Sequence, residues 1–259
     1  MFELLAFGDT GYGDEIVRGA CVTLLISTLA FIIGLAIGLV FAGMRLSGNI
    51  VLSSVADFYT TVVRGVPELI IIYLLLDAAG PLAQLVVEAL QFRGSWAMDA
   101  FLVGLIALSV ISGAYSTEVW RAGLQAVPVG QVEAARAFGM NSRQRFFRIV
   151  LPQALRHAVP GFGNVWQLMI KNTALISVTG LAELMRNTSV AARVSKQPFT
   201  FYLFALVLFL VITSLSAIVF ERAEKRLGRG ERRTADSKAA DTNAGDNNAG
   251  DIQKNAVQG

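Results

Sequence analysis

GACVTLLISTLAFIIGLAIGLVFAGM, residues 19–44, has no charged side chain between Arg18 and Arg45. About 20 consecutive apolar residues are enough for a helix to cross a hydrocarbon core, so this stretch spans a bilayer and sets the fold class: an all-α membrane protein. It is too long for the apolar region of a signal peptide, and no small-residue cleavage site ahead of a soluble domain follows it. It is therefore expected to stay in the protein. Ala30, Gly34, Gly38 and Ala42 recur every four residues within it. A stripe of small residues on one helix face lets a second helix approach closely, and it reads as packing.

The rest of the chain agrees with this class. Of 259 residues, 54% are hydrophobic and 16% charged, with a net charge of +3, against about 25% charged in soluble domains. Cys21 and His157 are the only residues of their types, which excludes a disulfide framework and a Cys/His metal cluster. No metal site is expected. A phosphate-binding GxxxxGK[ST] loop is absent, as are a nucleophile elbow and HExxH. Catalysis by this chain is therefore not expected. Further spans are read at 100–117, 158–182 and 197–220, and at 55–78, where Asp57, Arg64, Glu68 and Asp77 interrupt an apolar run.

Five spans place the termini on opposite sides, and Lys/Arg excess marks the cytoplasmic side. Segments 44–54, 118–157 and everything after 220 hold Arg45, the arginines from Arg121 to Arg156 and the basic run from Arg222 to Lys238. The N-terminus with 79–98 and 180–197 holds Arg18, Arg93, Arg186, Arg193 and Lys196 beside Glu3, Asp9, Asp14 and Glu15. The expected organisation is a periplasmic N-terminus (1–15), a five-helix domain (16–227) and a cytoplasmic tail (228–259). The tail is too poor in apolar residues to offset chain entropy and is expected to be disordered. Trp96 reads as an interfacial anchor, and Trp166 as core or path lining.

The long loop 118–157 is the part that points to function. Val132–Phe138 is helix-favouring, Gly139 breaks it, and Asn141 or Ser142 can cap a second turn through RQRFFRIVL, which Pro152 is expected to stop. Two short helices at a glycine elbow make a compact knob. Its exposed mix of Ala, Phe and Arg with one acid, Glu133, suits docking into a groove of another protein. A mere connection between two spans would need fewer residues.

Glu133-Ala134-Ala135, three residues, Gly139, nine residues, then Ile149-x-Leu151-Pro152 resembles the EAA loop of bacterial ATP-binding-cassette (ABC) importer permeases. RGVPEL (64–69), GAYSTEVWRAG (113–123) and IKNTALISVTGLAEL (170–184) are similar to the polar amino acid permeases, the group with the histidine, arginine, octopine and nopaline systems. The resemblance covers about residues 15–227. It implies a type I importer permease fold of five transmembrane helices, N-terminus periplasmic and C-terminus cytoplasmic, in a bacterial inner membrane. It also implies partners: a second permease subunit, either a paralogue or this chain again, an ABC ATPase dimer, and a periplasmic amino acid binding protein. ATP and Mg would sit on the ATPase, with no cofactor on this chain. Glu133, Ala134, Ala135, Phe138 and Gly139 would carry coupling to the ATPase.

Charges within the spans mark candidate path residues. An ammonium at mid-span costs roughly 2.5–3.5 kcal/mol on insertion scales, so Lys171 calls for a partner. That partner is either a substrate carboxylate, with Asn172 and Thr173 adding hydrogen bonds, or a protein carboxylate acting as a structural lock. Arg64 and Glu68 stand four apart and can share a helix face, although Pro67 between them implies a kink. Glu68 is a candidate partner for a cationic substrate side chain and Arg64 for its positioning. The competing reading is a structural ion pair. Glu118 reads as a support for the loop. The function expected is import of polar, chiefly basic, amino acids. Glutamine or glutamate import is the alternative within the class, and an ion-coupled secondary transporter the alternative outside it.

Overall fold

In the computed structural model the described residues are 6, 8, 11–75, 77 and 96–257, with side chains placed at all of them except 96–99 and 228–257. Glu3 and Asp9 of the N-terminal segment, Arg93 of the loop 79–98 and the side chain of Trp96 lie outside the described part. Every regular element among the described residues is helical.

Helix α1 (Gly13–Arg45) contains the charge-free run and extends it to both flanking arginines. Asp14 and Glu15 in its first turn and Arg45 in its last complement the helix dipole. It packs lengthwise on α4 (Trp96–Gln125). The small-residue stripe makes this contact, as the spacing predicts: a Cβ on Gly34 would lie 2.4 Å from Ser112 Cβ, and one on Gly38 would lie 2.6 Å from Ser116 Cβ. Where lipid removes most of the hydrophobic drive between helices, such close backbone approach supplies the dispersion energy. The Trp120 indole N–H donates to the Leu35 carbonyl across the same interface, at 2.9 Å.

The second segment differs from a single span over 55–78. It begins at Ile50 as α2 (Ile50–Gly65), capped by the Asn49 side chain, and continues as α3 (Glu68–Leu75) after a bend of 111°. Val66 is extended and Pro67 has no N–H to offer, so the helical ladder cannot cross the joint. Tyr59 pins the middle of α2 to α4 by donating to the Val110 carbonyl at 2.6 Å.

The fourth segment is also broken. Helix α5 (Val129–Ala137) and α6 (Ser142–Arg145) form the knob; a π-helical turn (Phe146–Val150) then leads without interruption into α7 (Leu151–Ile176). Pro152 does not stop the helix, contrary to the reading above. It stands in the first turn of α7, where a missing N–H is least costly, and the π turn before it accommodates the ring. A 3-10 turn (Ser177–Thr179) and Gly180, at φ 88°, separate α7 from α8 (Leu184–Ser195). The fourth segment, Ser142–Thr179, and α8 differ in direction by 54°.

The chain ends in α9 (Pro198–Val257), of which Pro198–Leu227 is apolar enough to span. Beyond Leu227 the backbone continues helical to Val257. Among the described residues three helices are long and apolar enough to cross a membrane, or up to five if each bent pair counts as one span. An aromatic cluster closes the core where α1, α4, α7 and α9 meet. Trp120 and Phe162 are 4.9 Å apart and Phe31 and Trp166 5.5 Å apart, with Phe220 against both Phe31 and Trp166.

Candidate functional site

The knob is built by two local motifs. The Gly139 N–H donates to the Arg136 carbonyl at 2.9 Å and the Met140 N–H to the Ala135 carbonyl at 3.1 Å. That is the Schellman pattern, with Gly139 at φ 75° as its left-handed residue. Two residues on, Asn141 Oδ1 accepts the Gln144 N–H at 2.9 Å and Gln144 Oε1 accepts the Asn141 N–H at 3.1 Å, a capping box. The elbow is therefore defined from both sides. Of the coupling residues, Glu133, Ala134, Phe138 and Gly139 are exposed, Phe138 at 88%, while Ala135 is buried within the knob.

The path candidates do not converge on one point. Lys171 is exposed on α7 and lines a cavity of about 490 Å³ between α7, α8 and α9, with Met185, Tyr202, Phe209 and Thr213 among its walls. It makes no hydrogen bond or ion pair among the described residues. Asn172 and Thr173 are buried: the Thr173 hydroxyl donates to the Ile170 carbonyl at 2.7 Å, while Asn172 Nδ2 has no hydrogen-bond partner among the described residues. A cavity of this size is within the usual range for small ligands. Its wall is almost wholly apolar apart from the ammonium and two hydroxyls.

Arg64 and Glu68 lie elsewhere, at the Arg45 end of the bundle, on either side of the 111° bend. Each is engaged with α4. Arg64 pairs with Glu118 at 3.6 Å and stands over the Tyr115 ring at 5.5 Å; the Tyr115 hydroxyl donates to Glu68 Oε1 at 2.9 Å. Glu118 is a hub. Arg45 from α1 bonds it, and Arg121 donates to its Oε2 from Nε at 3.0 Å and from Nη2 at 2.9 Å. Arg45 also pairs with Asp57. A cationic substrate side chain would have to compete with Tyr115 for Glu68.

Sequence reasoning did not find Tyr115, Asp57 or Arg45 as members of this cluster. It also missed Glu183, which is fully buried, caps α8 by accepting the Met185 and Arg186 N–H groups at 2.8 and 2.6 Å, and accepts from Thr23 of α1 at 3.3 Å. The Glu183-Leu184-Met185 order does carry an N-cap signal, a carboxylate ahead of a helical run, although Glu is not a favoured cap residue.

Residues 34–229 match the family model described as the binding-protein-dependent transport system inner membrane component. The nopaline transport system permease protein NocQ of Agrobacterium fabrum is 46% identical over 230 residues, covering 88% of this chain and 98% of the relative. The histidine/lysine/arginine/ornithine transport system permease protein HisQ of Escherichia coli is 38% identical over 223 residues, covering 86% and 97%. Among solved structures, an amino acid ABC transporter with histidines is similar at a TM-score of 0.68 and 31% identity over 83% of this chain and 95% of that one. The methionine transporter MetNI shares the fold, at a TM-score of 0.66 and 20% identity. The exposed glycine-elbow knob, the bent helix pairs and these likenesses together show that the chain belongs to the binding-protein-dependent inner membrane components, as an ABC importer permease of the polar amino acid group.

Proposed function

We propose that this chain is one permease subunit of an ATP-driven importer of basic amino acids or the opines derived from them, with its N-terminus periplasmic and its C-terminus cytoplasmic in a bacterial inner membrane. The observation that carries the reading is the knob, with Glu133, Ala134, Phe138 and Gly139 presented on a rigid elbow at the Arg-rich end of the bundle. It works with a second permease subunit, an ABC ATPase dimer that holds the ATP and Mg, and a periplasmic binding protein. The chain itself holds no cofactor. Closure of the ATPases moves the seated knob, and the movement passes into α4 and α7, between which the knob is inserted. The substrate class is supported by the named relatives, which transport nopaline and histidine, lysine, arginine or ornithine.

Co-purification of an ATPase subunit that is lost on Glu133→Ala, together with ATP-dependent uptake of arginine or an opine into proteoliposomes, tests the assignment. ATP-independent uptake by this chain alone would overturn it in favour of a secondary transporter. Screening amino acids against the cognate binding protein separates basic substrates from glutamine and glutamate.

Lys171 is proposed to meet the α-carboxylate of the substrate, with the orphan Asn172 amide close by in sequence on the buried side of α7. Hydrogen bonds to charged groups contribute about 1.5–3 kcal/mol. Lys171→Met is therefore expected to raise the apparent KM for uptake about ten-fold or more, with the complex still assembled. Unchanged KM and uptake in an assembled Lys171→Met complex would leave Lys171 without a role in the path.

A further inference from the structure

The joint between α2 and α3 has no helical hydrogen bond to hold its angle. Val66 is extended and its N–H returns to Val62 at 3.1 Å, while the Ile70 N–H starts a new ladder at Pro67 at 2.9 Å. The polar contacts that straddle the joint both come from one turn of α4. Tyr115 holds Glu68, the first residue of α3, and Glu118 pairs with Arg64, in the last turn of α2. Arg64 also stands on the Tyr115 ring, so the two contacts share a member.

Glu118 in turn is tied to Arg45 at the end of α1 and to Arg121 on its own helix, and Arg121 reaches Gln125, the last residue of α4, at 2.9 Å. Three guanidiniums converge on one carboxylate that is 20% exposed. Such a cluster is held by its charge balance: a neutral residue in place of Glu118 leaves Arg45 paired with Asp57 and takes the carboxylate away from Arg64 and Arg121. The chain then passes directly from Gln125 to the knob.

We propose that Tyr115 and Glu118 are positioning residues that set the bend of the second segment, so that displacement of the knob, carried along α4, changes the angle between α2 and α3. This rests on the coupling role proposed above. Neither residue is required to touch substrate. Their work is to make the broken span follow the loop.

Two measurements test it in the full complex. Tyr115→Phe removes only the hydroxyl and keeps the ring under Arg64; Glu118→Gln keeps the shape and removes the charge. In proteoliposomes each is expected to lower uptake per ATP hydrolysed about three-fold or more, the size of one lost hydrogen bond, while the ATPase rate stays near that of the parent. A purely structural role would lower both together. Glu68→Ala, which removes the acceptor of the Tyr115 hydroxyl, is expected to lower the same ratio.

Separately, spin labels at Val55 and Leu74, both exposed, with Cys21→Ser, report the bend whether or not the complex transports. Tyr115→Phe is expected to shift or broaden that distance by about 1–2 Å, the scale of small helix shifts. An unchanged distance, or an unchanged ratio in both the Tyr115 and Glu118 variants, overturns the proposal. A parent complex that shows the bend change but no ATP-driven uptake would instead overturn the transport assignment and leave the positioning role standing.

Discussion

A Gly139→Val variant is expected to reach the membrane in normal amount and to lose about ten-fold or more of its ATP-driven uptake. Gly139 has φ 75°, a conformation that costs an L-residue roughly 1–2 kcal/mol, and more for a β-branched side chain. Nothing lies within 4 Å of the position a Cβ would take, so the penalty is wholly in the backbone and none of it is a clash. The chain escapes by giving up the Schellman turn. Phe138 and Glu133 then leave the positions in which the elbow presents them. At about 1.4 kcal/mol per factor of ten, that strain alone depopulates the docking geometry by the predicted amount. Gly139→Asn is the control: Asn tolerates the left-handed region better than other non-glycine residues, so it should retain much of the activity. Uptake by the two variants, normalised to permease in the membrane, decides the point. Equal activity of both would show that the elbow is not what the ATPase reads.

The second large effect is on assembly. Gly34→Leu should remove most of the folded protein from the membrane, because a Cβ there would stand 2.2 Å from Ser112 Oγ and 2.9 Å from the Ser112 carbonyl carbon. Backbone cannot rotate aside as a side chain can. Helices α1 and α4 must separate, at or above the top of the usual range of about 1–3 kcal/mol for an overfilled core. Gly43→Leu, on the same helix with nothing within 4 Å, is expected to behave as the parent. Membrane abundance and thermal stability in detergent report both. Gly34→Ala combined with Ser112→Gly should recover part of the loss relative to Gly34→Ala alone, since the two positions share one contact.

Much of this molecule was legible along the chain. The run 19–44, the four-residue spacing of Ala30, Gly34, Gly38 and Ala42, and the sequence from Glu133 to Pro152 are local signals: each acts through backbone geometry or bilayer solvation within one element. The structure bears out the close-packed face and the glycine elbow, and the comparisons bear out the family. Local signals misjudged Pro152, because whether a proline ends a helix depends on where the next helix starts, and the π turn at Phe146–Val150 is not encoded in any one residue.

The charges show the boundary most clearly. Spacing places Arg64 and Glu68 four apart and so on one helix face, yet the helix breaks at Pro67 and α4 engages both, Arg64 through Glu118 and the Tyr115 ring and Glu68 through the Tyr115 hydroxyl. Spacing within a helix fixes which side chains share a face, but it does not fix what that face meets. From the sequence alone came the membrane class, the three long charge-poor spans, the knob and its elbow, since these follow from solvation and from φ and ψ preferences that act residue by residue. Only the tertiary structure decided that Glu118 gathers three arginines, that Glu183 is buried against Thr23, and that Lys171 opens on a cavity apart from Asn172. Those depend on the rotation and tilt of whole helices, which the summed packing of distant residues determines.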